Sequence, residues 1–300
     1  MRPLSLVVVT WNSADELRAL IASVERELRS DYEIVVIDNA SNDDTARVAE
    51  AHAATEVVLL DENVGFGAAS NMGVRRARHD AVILLNPDTE LIDGSLRHLA
   101  DLAVGRGALC GPEILNSDRS RQPSASSQPA GWEVGLGAVL PARLLPQRLR
   151  NRCEPWRAER TITAGWLTGA CIAAPRRLLL ALGPFDERIH LFAEDMDLGI
   201  RARQAGISSL FAPQTARIIH HGDRSSSKRF PDSGLSLRLA NRHLVLSRRL
   251  GARRAAYDFV CQFAFHSTRL VAKAVIGRQF SRERRWFSAV LRHARIGETE

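Results

Sequence analysis

The residues best able to do chemistry fall in a few short segments. Phe192-Ala193-Glu194-Asp195-Met196-Asp197-Leu198 packs three carboxylates into four residues between apolar neighbours. Crowded carboxylates in an apolar setting raise one another's pKa and suit general-base work. A structural role competes: acids at a helix start are stabilised by the macrodipole, and Asp197 stands at ion-pair spacing from Arg201. Ala81-Val82-Ile83-Leu84-Leu85-Asn86-Pro87-Asp88-Thr89 is an apolar run stopped by an amide, a proline and a carboxylate. Asn, Pro and Asp are ordinary turn residues, but Asp88 is also placed to hold a cation. His220-His221 follows the apolar pair Ile218-Ile219. One such His with Asp88 suits a divalent cation that takes further ligands from substrate phosphate.

Two more segments point to a nucleotide. Asp38-Asn39-Ala40-Ser41-Asn42-Asp43 follows an apolar run, and a carboxylate there can accept hydrogen bonds from a base or ribose. Helix capping by Ser41 or Asn42 explains the same residues equally well. Asn63-Val64-Gly65-Phe66-Gly67 through Asn71 permits a tight turn with close backbone approach, and the helix after it favours an anion. It does not follow the first strand, so it is not a dinucleotide fingerprint. A loop that merely packs the helix is the alternative.

The elements that would position these residues alternate. Leu4–Val9, Glu33–Ile37, Glu56–Leu60 and Ala81–Leu85 read as strands. Helices are expected from Ser13, as cap, to Leu28, then through about His52, and near Ala68–Arg78. Strand and helix in this rhythm imply an α/β fold with an open parallel sheet, where ligands bind at the carboxyl ends of the strands. Thr10, Asp38 and Asp88 all fall at such ends. Residues 116–131 are rich in Ser, Pro and Gln and read as a mobile loop, with a lid or acceptor platform continuing to Glu159. Helices near Arg176–Leu182 and Glu194–Gly206, and a strand at Ser209–Ala212, complete the body.

In this order the segments resemble an inverting glycosyltransferase of family 2. They are Val7-Val8-Val9-Thr10-Trp11-Asn12, Val36-Ile37-Asp38-Asn39-Ala40-Ser41, Asn63 through Asn71, Leu84-Leu85-Asn86-Pro87-Asp88, Gly183-Pro184-Phe185-Asp186-Glu187 and Glu194-Asp195-Met196-Asp197-Leu198. The matches span residues 4–222 and are most similar to bacterial rhamnosyltransferases. The resemblance implies the GT-A fold, with a Rossmann-like, mostly parallel central sheet flanked by helices. It implies a catalytic domain over 1–222 and a helical C-terminal region over 223–300. It places Thr10, Asn12 and Asp38 against the nucleotide, with Gly65, Gly67, Asn71 and Asn86 beside the nucleotide sugar. Asp88 and His220 would hold Mg²⁺ or Mn²⁺ against the diphosphate, with Asn86 standing where many relatives carry a second acid. Asp195 would be the catalytic base, with Glu194 as second choice. The donor implied is a nucleoside-diphosphate sugar, dTDP-rhamnose first, with galactofuranose, galactose or mannose as alternatives. The acceptor implied is a glycan or lipid-linked sugar of cell-wall or polysaccharide assembly.

Composition adds a partner. From His220 onward the chain holds 17 Lys or Arg against 6 Asp or Glu, whereas the preceding residues hold 24 against 28. Phe259, Val260, Phe263, Leu270, Val271, Ala274 and Val275 recur there at helical spacing, with Arg269, Lys273, Arg284, Arg285 and Trp286 nearby. A basic amphipathic helix suits an anionic membrane surface; packing on the catalytic domain is the alternative. No nucleic-acid motif is present. No uncharged run is long enough to cross a bilayer, no signal sequence stands at Met1, and the four cysteines show no metal spacing. A cytoplasmic protein, peripheral at the inner face of the plasma membrane, is expected; oligomeric state is left open. A Rossmann-like oxidoreductase or methyltransferase is disfavoured by the absence of a Gly-rich turn after Val9. An inactive glycan-binding protein is disfavoured by intact Asp88 and Asp195.

Overall fold

The computed structural model describes residues 2–189, 191–222, 234–275, 279 and 281–296. β1 (Leu4–Thr10), β2 (Tyr32–Asp38) and β4 (Ala81–Leu85) are almost wholly buried, as expected of continuous apolar runs covered on both faces. With β3 (Thr55–Leu59) they form the parallel part of an eight-stranded sheet, ordered β3-β2-β1-β4-β11-β6-β12-β9. β11 (Cys171–Pro175) enters antiparallel to both β4 and β6 (Leu109–Gly111). β12 (Ser209–Phe211) runs parallel to β6, and β9 (Ile162–Ala164) closes the edge antiparallel. The sheet is therefore mostly parallel rather than wholly so.

Helices cover both faces. α1 (Ala14–Leu28) turns Leu17, Leu20, Ile21 and Val24 inward, and α4 (Leu96–Arg106) lies in the same layer. α3 (Phe66–Arg76), α7 (Arg176–Leu182) and α8 (Glu194–Gln204) cover the other face through Val74, Leu179 and Leu198. The short α2 (Thr45–Glu50) connects β2 to β3. The expected Ser13 cap does not form: its Oγ donates to the Trp11 carbonyl at 2.9 Å. A three-stranded sheet, β5-β13-β7, stands beside the large one and joins Thr89–Leu91, Arg217–His220 and Glu113–Leu115.

The stretch read as a loop and platform contains short elements. Gln122 N–H donates to Ile114 O at 2.8 Å, and β8 (Ala125–Ser126) pairs antiparallel with β10 (Trp166–Leu167). α5 (Trp132–Val139) and α6 (Gln147–Cys153) follow. Backbone pairing and short polar contacts satisfy this segment locally.

The boundary expected at 222/223 abuts residues 223–233, which lie outside the described residues. Beyond it come α9 (Gly234–Leu250), α10 (Ala252–Val275) and α11 (Ser281–Ile296). They join the catalytic body rather than hang from it. Val245, Leu246 and Ala255 share a buried cluster with Met196 and Ile200 of α8. Arg249 Nε bonds the buried Asp197 at 2.6 Å, which Arg201 also bonds at 2.6 Å. Of the residues expected at a membrane surface, Trp286 is buried, stacked 4.4 Å from His266.

Candidate active site

A cleft of about 480 Å³ opens where β1 and β4 end. It is lined by Thr10, Gly65, Asn86, Asp88, Glu194, Asp195 and His220, so seven of the residues singled out in the sequence meet in one place.

Asp88 and His220 are brought together by strand register. β13 pairs with β5 so that His220 lies opposite Thr89, and His221 N–H donates to the Asp88 carbonyl at 2.9 Å. His220 Nε2 then lies 3.2 Å from Asp88 Oδ1 and 3.3 Å from Asn86 Nδ2. On the far side of the ring, Nδ1 lies 2.7 Å from Gln122 Oε1, while Gln122 Nε2 donates to Asn116 Oδ1 at 2.9 Å. That network assigns the proton to Nδ1 and leaves the Nε2 lone pair facing the carboxylate. A carboxylate oxygen and an imidazole nitrogen side by side, with an amide next to them, are a donor set that fits Mg²⁺ or Mn²⁺. Among the described residues no cluster of three or more His, Cys, Asp or Glu side chains exists. Asp88 and His220 are thus two side-chain ligands for such an ion among the described residues. His221 turns away, to Ser117 at 2.8 Å.

The carboxylate pair starts α8. Phe192 and Ala193 precede it at φ 67° and 72°, two successive left-handed residues that turn the chain into the helix. Such conformations cost energy in non-glycine residues and gather at functional sites. Asp195 Oδ2 accepts the Gly169 N–H at 3.0 Å and Oδ1 accepts the Met196 N–H at 2.8 Å. Burial raises the Asp195 pKa, and those two donors oppose the rise. Glu194 is pushed up to about 8, first by burial and then by the Asp195 charge. Its Oε2 is buried and has no hydrogen-bond partner among the described residues. The segment before β11 ties this pair to the cation corner: Ala170 O accepts the Asn86 N–H at 3.0 Å, one residue from Gly169.

The expected nucleotide residues divide. Thr10 lines the cleft and its Oγ1 donates to Asp38 Oδ1 at 2.9 Å, so Asp38 stands one layer behind, also held by Ser41. Asn12 does not line the cleft; its Oδ1 accepts the Asn42 N–H at 2.7 Å and pins two loops together. Gly65, at φ 90°, lets the chain turn into α3 beside the cleft. Gly67 and Asn71 lie away from it. A Cβ on Gly67 would come within 3.0 Å of Phe185 Cβ, and the Asn71 amide is spent on the Phe185 backbone at 2.9 Å in both directions. Both residues brace the Gly183–Glu187 turn, away from the cleft lining. Asn63 and Asn39 do reach the cleft, joined at 3.2 Å.

Several lining residues escaped sequence reasoning. Trp166 and Ser124 lie in stretches without periodicity, as does Gln122, which stands behind His220 rather than in the lining. Arg238 and Arg242 come from α9. A basic residue on an amphipathic helix carries no mark of which face meets a cleft, so no signal distinguished these two from their neighbours.

Residues 5–160 match the family model described as glycosyl transferase family 2. Over 265 residues, 82% of this chain and 84% of the relative, the sequence is 31% identical to N-acetylglucosaminyl-diphospho-decaprenol L-rhamnosyltransferase of Mycobacterium tuberculosis. The chain belongs to glycosyltransferase family 2. Its fold is the GT-A fold of the solved glycosyltransferases it resembles. The mannosyltransferase PcManGT of Pyrobaculum calidifontis, in complex with GDP-Man and Mn²⁺, superposes with TM-score 0.60 at 16% identity, covering 98% of this chain and 88% of that one. GalNAc-T7 with UDP, GalNAc and Mn²⁺ gives 0.57 at 20% identity, covering 73% and 44%. In this family-2 chain Glu194, Asp195 and His220 lie beyond the matched segment, so their roles rest on geometry.

Proposed function

We propose that this glycosyltransferase moves a hexose from a nucleoside-diphosphate donor to an acceptor hydroxyl with inversion, using a divalent cation. The observation that carries the reading is one cleft holding both the Asp88–His220 pair and the Glu194–Asp195 pair. Thr10 and the Gly65 turn would flank the nucleotide, with Asp38 fixing Thr10. Asp195 takes the proton of the acceptor hydroxyl as that oxygen forms its bond to the anomeric carbon. The bond from that carbon to the diphosphate breaks on the opposite face, which inverts the centre. When bound, the cation supplies neutralisation of charge on the leaving diphosphate. Asp195 is the better base because two backbone N–H groups hold it as a carboxylate, whereas Glu194 keeps its proton to about pH 8.

Rhamnose from dTDP-rhamnose is the favoured donor, and a glycan or lipid-linked acceptor of cell-wall or polysaccharide assembly is the favoured substrate. The 31% identity to a rhamnosyltransferase acting on a diphospho-decaprenol sugar supports both. A place at the cytoplasmic face of an anionic membrane is the favoured location, and the exposed surface supports contact with such a membrane. α10 exposes Val260, Phe263, Val271 and Val275, and the α5 segment exposes Val139 and Leu144, near exposed Arg143, Arg253 and Arg254. No described helix is long and apolar enough to cross a membrane.

Asp195→Asn is expected to lower kcat by about 10²–10⁴-fold while donor binding persists. Asp88→Ala is expected to weaken Mn²⁺-dependent donor binding in calorimetry. Normal turnover by Asp195→Asn would remove the base assignment. Donor hydrolysis measured with dTDP-rhamnose, UDP-galactose, UDP-galactofuranose and GDP-mannose decides the sugar.

A further inference from the structure

The cation corner has a support that lies outside the cleft. β7 ends at Leu115, and the chain reverses through a tight turn. In that turn Arg119 takes φ 63° and the Asn116 N–H donates to Ser120 O at 2.8 Å. Leu115 then bridges Arg121. Because β13 sets Ile219 beside Leu115, the returning Gln122 arrives against His220. Its amide grips that residue twice: Oε1 lies 2.7 Å from Nδ1, and Nε2 donates to the His220 carbonyl at 3.4 Å.

An amide can face either way, so its neighbours must fix its direction. The line of contacts behind Gln122 ends on Asp118. The Ser120 hydroxyl and N–H both donate to Asp118 Oδ1, at 2.5 and 2.9 Å, and hold that carboxyl below its usual pKa. An ionised carboxylate only accepts. The one Ser120 O–H proton is spent on it, so Ser120 Oγ accepts from Asn116 Nδ2 at 2.8 Å. That turns Asn116 Oδ1 toward Gln122, whose Nε2 donates to it at 2.9 Å. Gln122 Oε1 is left for His220, and the ring nitrogen facing it must carry the proton. Reversing the Gln122 amide would set its oxygen against two others, Asn116 Oδ1 and the His220 carbonyl. On the other side of the ring, Asn86 Nδ2 is a donor 3.3 Å from Nε2, which agrees with a bare Nε2.

We propose that Gln122 is a positioning residue for the cation corner. The line Asp118–Ser120–Asn116 fixes its direction, so that His220 keeps its proton on Nδ1. The proposal rests on the reading that His220 helps to hold a divalent cation. Asp88 makes such a device necessary. Its Oδ1 stands 3.2 Å from Nε2 and, being charged, would draw the proton there and close the corner on itself.

The first measurement needs neither substrate nor metal. Nitrogen NMR of the full chain, isotopically labelled at histidine, reads which ring nitrogen is protonated when the ring is neutral. The His220 signals are identified by their loss in His220→Gln. They are expected to show a protonated Nδ1 and a bare Nε2. Gln122→Leu removes the acceptor and is expected to move the proton to Nε2. It should also weaken Mn²⁺ binding, measured by calorimetry with dTDP or UDP present, by about 10–100-fold. Gln122→Glu, which still accepts from Nδ1, is expected to keep both properties. Asp118→Ala, exposed and outside the cleft lining, is expected to move both measures the same way by less. Should Gln122→Leu not fold, Asp118→Ala carries the result. A wild-type ring protonated on Nε2 overturns the proposal, as do unchanged ring signals and Mn²⁺ affinity in Gln122→Leu or in Asp118→Ala. A wild type with bare Nε2 that binds no Mn²⁺ removes the cation reading instead, while the hold of Gln122 on the ring stands.

Discussion

Glu194 and Asp195 are adjacent in the chain, yet different groups reach them. Asp195 receives two backbone N–H groups, and Glu194 Oε2 receives none. With its pKa pushed up to about 8, the Glu194 carboxyl is protonated near neutral pH, and a glutamine is close to its isostere. Glu194→Gln is expected to keep substantial turnover where Asp195→Asn does not. Stability adds an independent measure. The Glu194 carboxyl titrates near 4.5 when unfolded and at about 8 when folded, so the unfolded chain loses that proton first. This group's contribution is full below about 4.5 and is lost as pH rises toward about 8. The melting temperature of Glu194→Gln should thus gain on the wild type across that window; parallel curves would contradict the assignment. At this scale the sequence showed the types that matter, since carboxylates at a helix start and a strand end are conspicuous. The contact of Asn71 was not legible, because an amide beside a Gly-rich turn looks the same whether it meets a ligand or, as here, the Phe185 backbone.

Among the elements, the contact of α8 with β10 sets where Glu194 and Asp195 stand. Gly199 lies against Trp166, and a Cβ there would come within 2.4 Å of Trp166 Cβ and 2.9 Å of its Cα. Gly199→Ala is expected to cost about 1–3 kcal/mol of stability. It should also lower kcat, since Trp166 and the first turn of α8 line the same cleft; chemical denaturation beside steady-state kinetics checks both. The early strands were legible because β-branched runs buried on both faces leave a clear pattern. The antiparallel entry of β11 was not legible, since Cys171-Ile172-Ala173-Ala174-Pro175 is apolar in either direction. Yet that reversal delivers Gly169 to Asp195 and Ala170 to Asn86.

The whole molecule separates charge and apolar surface in a way that composition foretold only in outline. The basic excess after His220 and the helical stripe were visible, but their division between an outer face and a wall of the cleft was not. Packing alone decides that Trp286 is buried while Val260 and Val271 are exposed. If the outer face meets lipid, the protein should partition onto phosphatidylglycerol vesicles, less so onto neutral ones or in high salt. Val260→Asp/Val271→Asp should reduce partitioning about tenfold or more in a flotation assay while the fold persists. Equal binding to neutral vesicles, or none by the wild type, would remove the membrane role. The pairing of His220 with Thr89 carries a temporal consequence. A nascent chain extrudes β5 long before β13, and roughly 130 residues at about 5–20 per second is on the order of ten seconds. Through that interval β5 waits on the ribosome as an unmatched edge, open to mispairing with a neighbouring nascent chain. Synthesis thus delivers the His220 side of the cleft only after β13 emerges, and a product truncated before residue 217 would lack both β13 and that side of the cleft.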